Sequence, residues 1–486
     1  MNNNFLDLTI SEIHRALVSK KVTPLELVNE AIKRAKNDQN NAFEYIAEKE
    51  AVAFAKKLIE PENDNLLWGI PFTIKDNFST KNIPTCASSN ILKNYVPIFN
   101  ATVVDKLIAK KAILIGKTTL DELAMNGTGK TGHLGLTFNP CDQSHKHIIG
   151  GSSCGSAATV AANIVPFSIG SDTGDSVRKP ASYSGLIGFK PTWGLISRFG
   201  LFPFAPSLDT VGFFTRSVED VKILLDNLIG YDPKDFTTSF LKNKKNNCQK
   251  KINKNQVNGM KIVVIKEIVD VIKEKKIVDK FNEVIKMLEL LGNKINYVSV
   301  DKKILKTIFL TYYIISCAEA TSNNANLDGI KFGFSYSDSK NYKENLLKTR
   351  SIGFSKLIKE RFIFGSFVLI KENQKELFLK AKKNRNKIVS IINEILKCND
   401  VICLPAVSNT APKFDDEINY DDEYLIADNH MVIGNFAGLP SITLPIGFKN
   451  NLPFGLNITG NIFDENKILN IAKIVENKLN LNKKNE

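Results

Sequence analysis

The chain has 486 residues, enough for one large α/β domain or about three average ones, and enough to bury a sizeable core. Its 43% hydrophobic and 24% charged content is that of an ordinary globular protein. No apolar run reaches the roughly 18 residues that span a membrane, and no basic segment leads into an apolar core at the start, so no membrane partner and a cytoplasmic location are expected. The net charge of +14 is compatible with a tRNA nearby, but no RNA-binding module signature accompanies it, and seven cysteines without a CxxC pair point away from a zinc site.

In chain order, Thr9-Ile10-Ser11-Glu12 and Thr23-Pro24-Leu25-Glu26 have the form of capping boxes before amphipathic runs. They predict a mostly helical scaffold from Thr9 to Leu58, within an N-terminal region of about 1–60. Trp68 to Lys75 reads as an apolar strand ending in a lysine. Val103 to Lys111 reads as helix, Ala112 to Ile115 as buried strand, and Leu120 to Met125 as possible helix. Two Gly-Lys-Thr stretches, at Gly116 and Gly129, suggest a phosphate loop, but each lacks the glycine five positions upstream, so no ATP site is expected on them. Gly127 and Thr128 lie in a loop that could border an active site.

The stretch Gly150 to Gly185 reads GGSSCGSAATVAANIVPFSIGSDTGDSVRKPASYSG. A glycine-serine turn opens onto small residues suited to a tightly packed helix, Ser156 to Ala162. An apolar strand, Ile164 to Ile169, then leads to a second turn holding Thr173, Gly174, Asp175 and Ser176. Ser152 and Ser176 read as exposed serines on two turns joined by one helix and one strand. Arg178 and Lys179 are close enough in sequence to hold the Asp175 carboxylate outward. A serine needs a base to become a nucleophile. None of the five histidines sits in a recognisable catalytic context. Gly151 to Gly155 also matches the G-x-S-x-G elbow, but no buried strand precedes it and only His430 follows. Lys75 is the better base, because apolar surroundings favour a neutral lysine.

Beyond this core, Leu186 to Thr192 reads as strand and turn, and Ser217 to Ile229 as helix. The stretch 240–260 is a lysine-rich loop. Lys261 to Ile265 reads as strand, followed by helix to Leu291 and a strand from Ile295 to Val300. Thr311 to Asn323 and Gly353 to Asn386 read as helices. Strands follow at Val401 to Pro405, Leu439 to Pro445 and Phe454 to Thr459, before a closing helix from Glu465 to Asn480. Helices alternate with strands that are apolar on both faces, which predicts an α/β fold with a central sheet covered on both sides.

The Lys75 segment, GGSSCGSAA and GSDTGDSVRKPAS together resemble the amidase signature family. That resemblance implies a single domain over 1–486 with a large mixed sheet wrapped by helices. It also implies amide hydrolysis by a Ser-Ser-Lys triad. Ser176 matches the nucleophile, Ser152 the bridging serine in an unusual cis peptide, and Lys75 the base. The backbone N–H groups of Thr173, Gly174, Asp175 and Ser176 match an oxyanion hole. Residues 311–333, 353–369 and 427–448 are similar to the branch of the family that serves as glutaminase subunits of glutamyl-tRNA(Gln) amidotransferases. In that branch Tyr312, Arg361 and Asp428 match residues that hold glutamine. The likeness implies no cofactor in this chain. It implies B and C subunits as partners, ATP and Mg2+ used by the B subunit, and Glu-tRNA(Gln) reached through the complex. Two rival readings remain: a stand-alone amidase acting on other acyl amides, and a non-catalytic assembly subunit. Cys154 and Asp175, where the family commonly has glycine, favour the second rival.

Overall fold

The computed structural model describes residues 4–242, 258–417 and 421–480. Most of the lysine-rich stretch expected at 240–260 lies outside these residues. The core is an eleven-stranded mixed sheet. Its strands in chain order are β1 (Phe43–Ile46), β2 (Pro71–Lys75), β3 (Ile113–Thr118), β4 (Phe167–Asp172), β5 (Ile187–Lys190), β6 (Thr210–Thr215), β7 (Lys261–Ile265), β8 (Lys294–Val298), β9 (Val401–Pro405), β10 (Ser441–Lys449) and β11 (Leu452–Gly460). Across the sheet they run β1-β3-β2-β4-β6-β5-β10-β11-β9-β7-β8. Strands from both sides of residues 243–257 therefore share one sheet. Every residue of β2, β3, β4, β5, β6, β9 and β11 is buried, which explains their unbroken apolar reading.

Three parallel strands position the site. β2 pairs with β3 on one side and β4 on the other, with Lys75 opposite Thr118 and Ile74 opposite Ile169. Their C-terminal ends therefore emerge along one edge of the sheet, the usual place for a ligand site in α/β folds. The small-residue helix Cys154–Ala161 packs beneath them. Its Gly155 admits no larger residue, because a Cβ there would lie 2.5 Å from the Ala42 carbonyl and from Thr119 Oγ1.

Both capping boxes form as read, at Thr9 and Thr23. The scaffold from Thr9 to Leu58 is not all helix, however. Phe43–Ile46 is an edge strand antiparallel to β3, and four residues are too few to show a period. Leu120 to Met125 is not an α-helix: only a 3-10 turn forms at Glu122–Ala124, with Leu123 at φ 51° and Ala124 at φ 62°. The helix read over Gly353 to Asn386 is broken at Ile370, which has extended angles, into Lys356–Leu369 and a later helix, Lys380–Lys397. The run Lys302–Asn326 is long and apolar enough to cross a membrane by length and composition alone. Half of its apolar window is buried, against the helices Lys356–Leu369 and Lys380–Lys397.

Candidate active site

Lys75 ends β2 with no exposed surface. Its Nζ lies 2.7 Å from Ser152 Oγ, 2.9 Å from Ser171 Oγ and 3.5 Å from the Ser171 carbonyl. Burial lowers its pKa to about 7, against an opposing pull from Cys154, Asp121, Asp172 and Asp209. Cys154 is itself a neutral thiol at that pH, since burial pushes it up to about 12, so the carboxylates carry the opposing pull. Asn77 Nδ2 donates to Ser171 Oγ at 3.0 Å and fixes that hydroxyl beside the lysine.

The peptide between Gly151 and Ser152 is cis. Asp121 organises the approach to it. Its carboxylate accepts from the N–H groups of Thr128, Gly129, Lys130 and Thr131 at 2.9–3.1 Å, while its own N–H donates to the Ser152 carbonyl. Gly127 and Thr128 therefore stand beside the Gly151 turn. A Cβ at Gly151 would fall 2.0 Å from Asp121 Oδ2, so the turn requires glycine there.

Ser176 follows β4 and precedes the short helix Arg178–Tyr183. The sequence predicts two exposed serines, but both are buried, Ser152 completely and Ser176 with 4% of its surface showing. The reason is mutual: the two turns close on each other, with the Ser153 N–H donating to the Ser176 carbonyl at 3.2 Å. Buried ion pairing then fixes the second turn. Arg178 Nε and Nη2 reach the two oxygens of Asp172 at 3.1 and 2.9 Å, and Nη2 also donates to the Gly174 carbonyl at 2.7 Å and to Asn435 Oδ1 at 2.6 Å. Burial alone would raise the Asp172 carboxyl, but Arg178 wins and holds it at about 2. Thr173 Oγ1 donates to Asp209 Oδ1 at 2.7 Å.

Arg178 makes no ion pair with Asp175. It is committed to Asp172 instead, and among the described residues Lys179 pairs with Asp175, at 2.7 Å. Lys179 also lies 3.3 Å from Asp428 Oδ2, so one ammonium bridges two carboxylates. Burial works against an ionised Asp428, yet Lys179 and the hydroxyls of Tyr424 and Ser408 bring its pKa below the ordinary value.

Tyr312 and Tyr313 are adjacent in sequence, and packing separates them. A Cβ on Gly174 would meet the Tyr312 ring and hydroxyl at 3.1–3.3 Å, so Tyr312 lies against the turn before Ser176. Burial raises its phenol pKa, Asp175 adds to the rise and Arg361 opposes it. Tyr313 faces the neighbouring helix, 5.1 Å from Phe364 and beneath the Arg361 guanidinium at 5.1 Å. Arg361 Nη1 reaches Cys317 Sγ at 3.8 Å, and its Nε is buried with no hydrogen-bond partner among the described residues.

The other features that the sequence offered are taken up in structural contacts. Gly116-Lys117-Thr118 lies inside β3, and Lys117 Nζ pairs with Asp76 at 3.0 Å. His430 Nδ1 is bonded to the Ala427 carbonyl at 2.8 Å, and burial lowers its pKa to about 4. Cys154 Sγ points to the Thr119 carbonyl at 3.6 Å, inside the packing of its helix. Sequence reasoning missed Ser171, Asp121, Asp209 and the Asp172–Arg178 pair. Asp172 and Arg178 do share the turn with Ser176, and opposite charges six residues apart across a turn were the one available signal.

The family model for amidases matches residues 26–469. The chain belongs to the amidase family. Among curated amidase-family relatives, the A subunit of the glutamyl-tRNA(Gln) amidotransferase of Pediococcus pentosaceus is 40% identical over 468 residues, covering 95% of this chain and 94% of that protein. The A subunit of the Thermotoga maritima amidotransferase is 38% identical over 473 residues, covering 97% and 95%. The crystal structure of that Thermotoga maritima protein superposes with a TM-score of 0.80 at 36% identity, covering 98% of this amidase-family chain and 96% of that one. A crystal structure described only as an amidase gives 0.79 at 26% identity, covering 97% and 100%.

Proposed function

We propose that this chain is the glutaminase subunit of a glutamyl-tRNA(Gln) amidotransferase, hydrolysing glutamine through Ser176, Ser152 and Lys75. One observation carries the chemistry: a fully buried lysine, lowered to about 7, sits 2.7 Å from the Ser152 hydroxyl. Its Nζ reaches Ser171 Oγ, the Ser171 carbonyl and Ser152 Oγ; in the neutral form two N–H groups serve Ser171 and the lone pair is left for the Ser152 hydroxyl hydrogen.

Ser176 Oγ attacks the side-chain amide carbon of glutamine. Its proton passes to Ser152 Oγ as the Ser152 proton passes to Lys75 Nζ. N–H groups of the Thr173–Ser176 turn receive the oxyanion. The proton returns by the same relay to the leaving nitrogen, and the C–N bond breaks to release ammonia. Water, deprotonated by the same relay, then cleaves the γ-glutamyl ester and frees glutamate. Arg361 suits the substrate α-carboxylate and Asp428 the α-ammonium, and Tyr312 lies against Gly174 in the Ser176 turn. Lys179, now on Asp428, has Asp175 as its second partner and can shift to it when the substrate ammonium arrives.

The likeness over nearly the whole chain to proteins named as amidotransferase A subunits supports a multi-subunit assembly. In it B and C subunits would bind this chain, and the B subunit would use ATP and Mg2+ to activate Glu-tRNA(Gln) for the ammonia released here. Glutamate release from glutamine by the purified chain, alone and with its co-purified partners, tests the reading. Turnover lost in Ser176→Ala supports it; wild-type turnover in Ser176→Ala contradicts it.

A further inference from the structure

We propose that Glu44, Cys86 and His133 form a zinc site, separate from the serine-lysine centre. The three come from β1, from the loop after β2, and from the loop that carries Gly127 and Thr128. Their donor atoms all lie within 4.8 Å of one another. Cys86 Sγ is 3.5 Å from Glu44 Oε2 and 3.6 Å from His133 Nε2, and the last two atoms are 2.9 Å apart. Tetrahedral zinc with bonds of about 2.3 Å to sulfur and about 2.0–2.2 Å to nitrogen or oxygen spaces its ligands by roughly 3.4–3.6 Å. Two edges of the triangle already match, and the third has to open by about half an ångström.

The surroundings fit a ligand set as well. His133 Nδ1 lies 3.1 Å from Asn90 Oδ1, which accepts its proton, and Nε2, which now donates to Glu44 Oε2 at 2.9 Å, is the nitrogen that a metal would take in place of that proton. Ser88 Oγ donates to Glu44 Oε1 at 2.5 Å and leaves Oε2 toward the centre. The thiol of Cys86 now donates to Asp76 Oδ2 at 3.1 Å. Asp76 is in turn paired with Lys117 at 3.0 Å and holds the Cys86 and Ala87 N–H groups. Binding releases the thiol proton of Cys86 and the Nε2 proton of His133 to solvent, and the Zn–S and Zn–N bonds form in their place. The thiolate, Glu44, Asp76 and Lys117 then balance the charge of the ion. A mixed sulfur, nitrogen and oxygen set selects zinc over magnesium or calcium. The His133 side chain is 17% exposed and that of Glu44 5%, so the ion has an entry path and a water can complete the coordination.

The site is structural in kind. It joins the edge strand to the loop whose N–H groups Asp121 holds beside the Gly151 turn. No C-x-x-C or H-x-x-x-H spacing announces it, because the ligands are 42 and 47 residues apart.

The test uses the full chain, stripped with a chelator and then titrated with ZnCl2 or, separately, CoCl2. The expected result is about one tightly held zinc per chain and a thiolate-to-cobalt charge-transfer band. Both are lost in Cys86→Ser and in His133→Asn, with the metal-free melting temperature of each variant kept within a few degrees of wild type. If a variant does not fold, Glu44→Gln gives the same readout. Zinc bound equally by wild type and all three variants would mean surface binding only and would overturn the site, as would cobalt binding without a thiolate band. A magnesium titration that displaces the zinc would also overturn it.

Discussion

Under the proposed function, the pH dependence of glutamine hydrolysis follows from the environment of Lys75. The residue acts as a base only when neutral. With its pKa lowered to about 7, half of it is neutral at pH 7, whereas a lysine at its ordinary value of 10.5 would be neutral in roughly one molecule in three thousand. The neutral fraction falls from about nine-tenths at pH 8 to about one-tenth at pH 6, so kcat/KM should drop about tenfold over that interval. It should level off above pH 8 until the substrate ammonium itself titrates. The free-enzyme parameter kcat/KM is the one to measure, by direct chromatographic detection of glutamate, because coupling enzymes have pH profiles of their own. Lys75→Arg completes the experiment. A guanidinium has no neutral form in this range, so the variant should be inactive at every pH. A flat profile between about pH 6 and 8, an inflection above about pH 9, or a Lys75→Arg variant with more than about a hundredth of wild-type activity would refute the base assignment.

Three further outcomes are expected. Asp172→Asn leaves the Arg178 guanidinium buried without its carboxylate, and should cost about 3–5 kcal/mol in denaturant unfolding; a loss under about 1 kcal/mol would show that the pair does not hold the turn. Asp428→Ala and Arg361→Ala should each raise KM for glutamine by roughly ten- to a hundredfold, for about 1.5–3 kcal/mol of charge-assisted bonding, and an unchanged KM in both would move the substrate pocket elsewhere. Asp175→Gly should alter turnover only slightly, because its carboxylate is engaged by Lys179 at 2.7 Å. A gain of about a hundredfold, or about 2.7 kcal/mol of barrier, would mean that the carboxylate repels the oxyanion and that the chain carries a suppressed site.

Much of the arrangement was legible before folding. A lysine closing an apolar strand, and two serines on glycine turns joined by a helix and a strand, are local patterns, and the three parallel strands bring them to one edge. What escaped depends on distant partners. β1 is a strand because β3 offers it an edge, and β6 because β4 and β5 lie on either side of it. The helix Arg178–Tyr183 contains Pro180, which reads as a helix breaker, but it stands in the first turn, where no backbone N–H is needed. Asp121 and Asp209 look like surface residues in the sequence, and they are buried because backbone N–H groups of loops surround them. Tyr312 and Tyr313 are indistinguishable by composition, and only the helix phase against Gly174 assigns them different neighbours.

Under the proposed function, Ser176, and neither Ser152 nor Cys154, becomes acylated by glutamine. The direct measurement is peptide mass spectrometry of the chain after treatment with a diazoketone analogue of glutamine, which alkylates the nucleophile that attacks the amide carbon. A single adduct on Ser176 is expected, prevented by excess glutamine and absent in Lys75→Arg. An adduct on Ser152 or Cys154, or glutamine hydrolysis that persists with Ser176 unmodified, would contradict it.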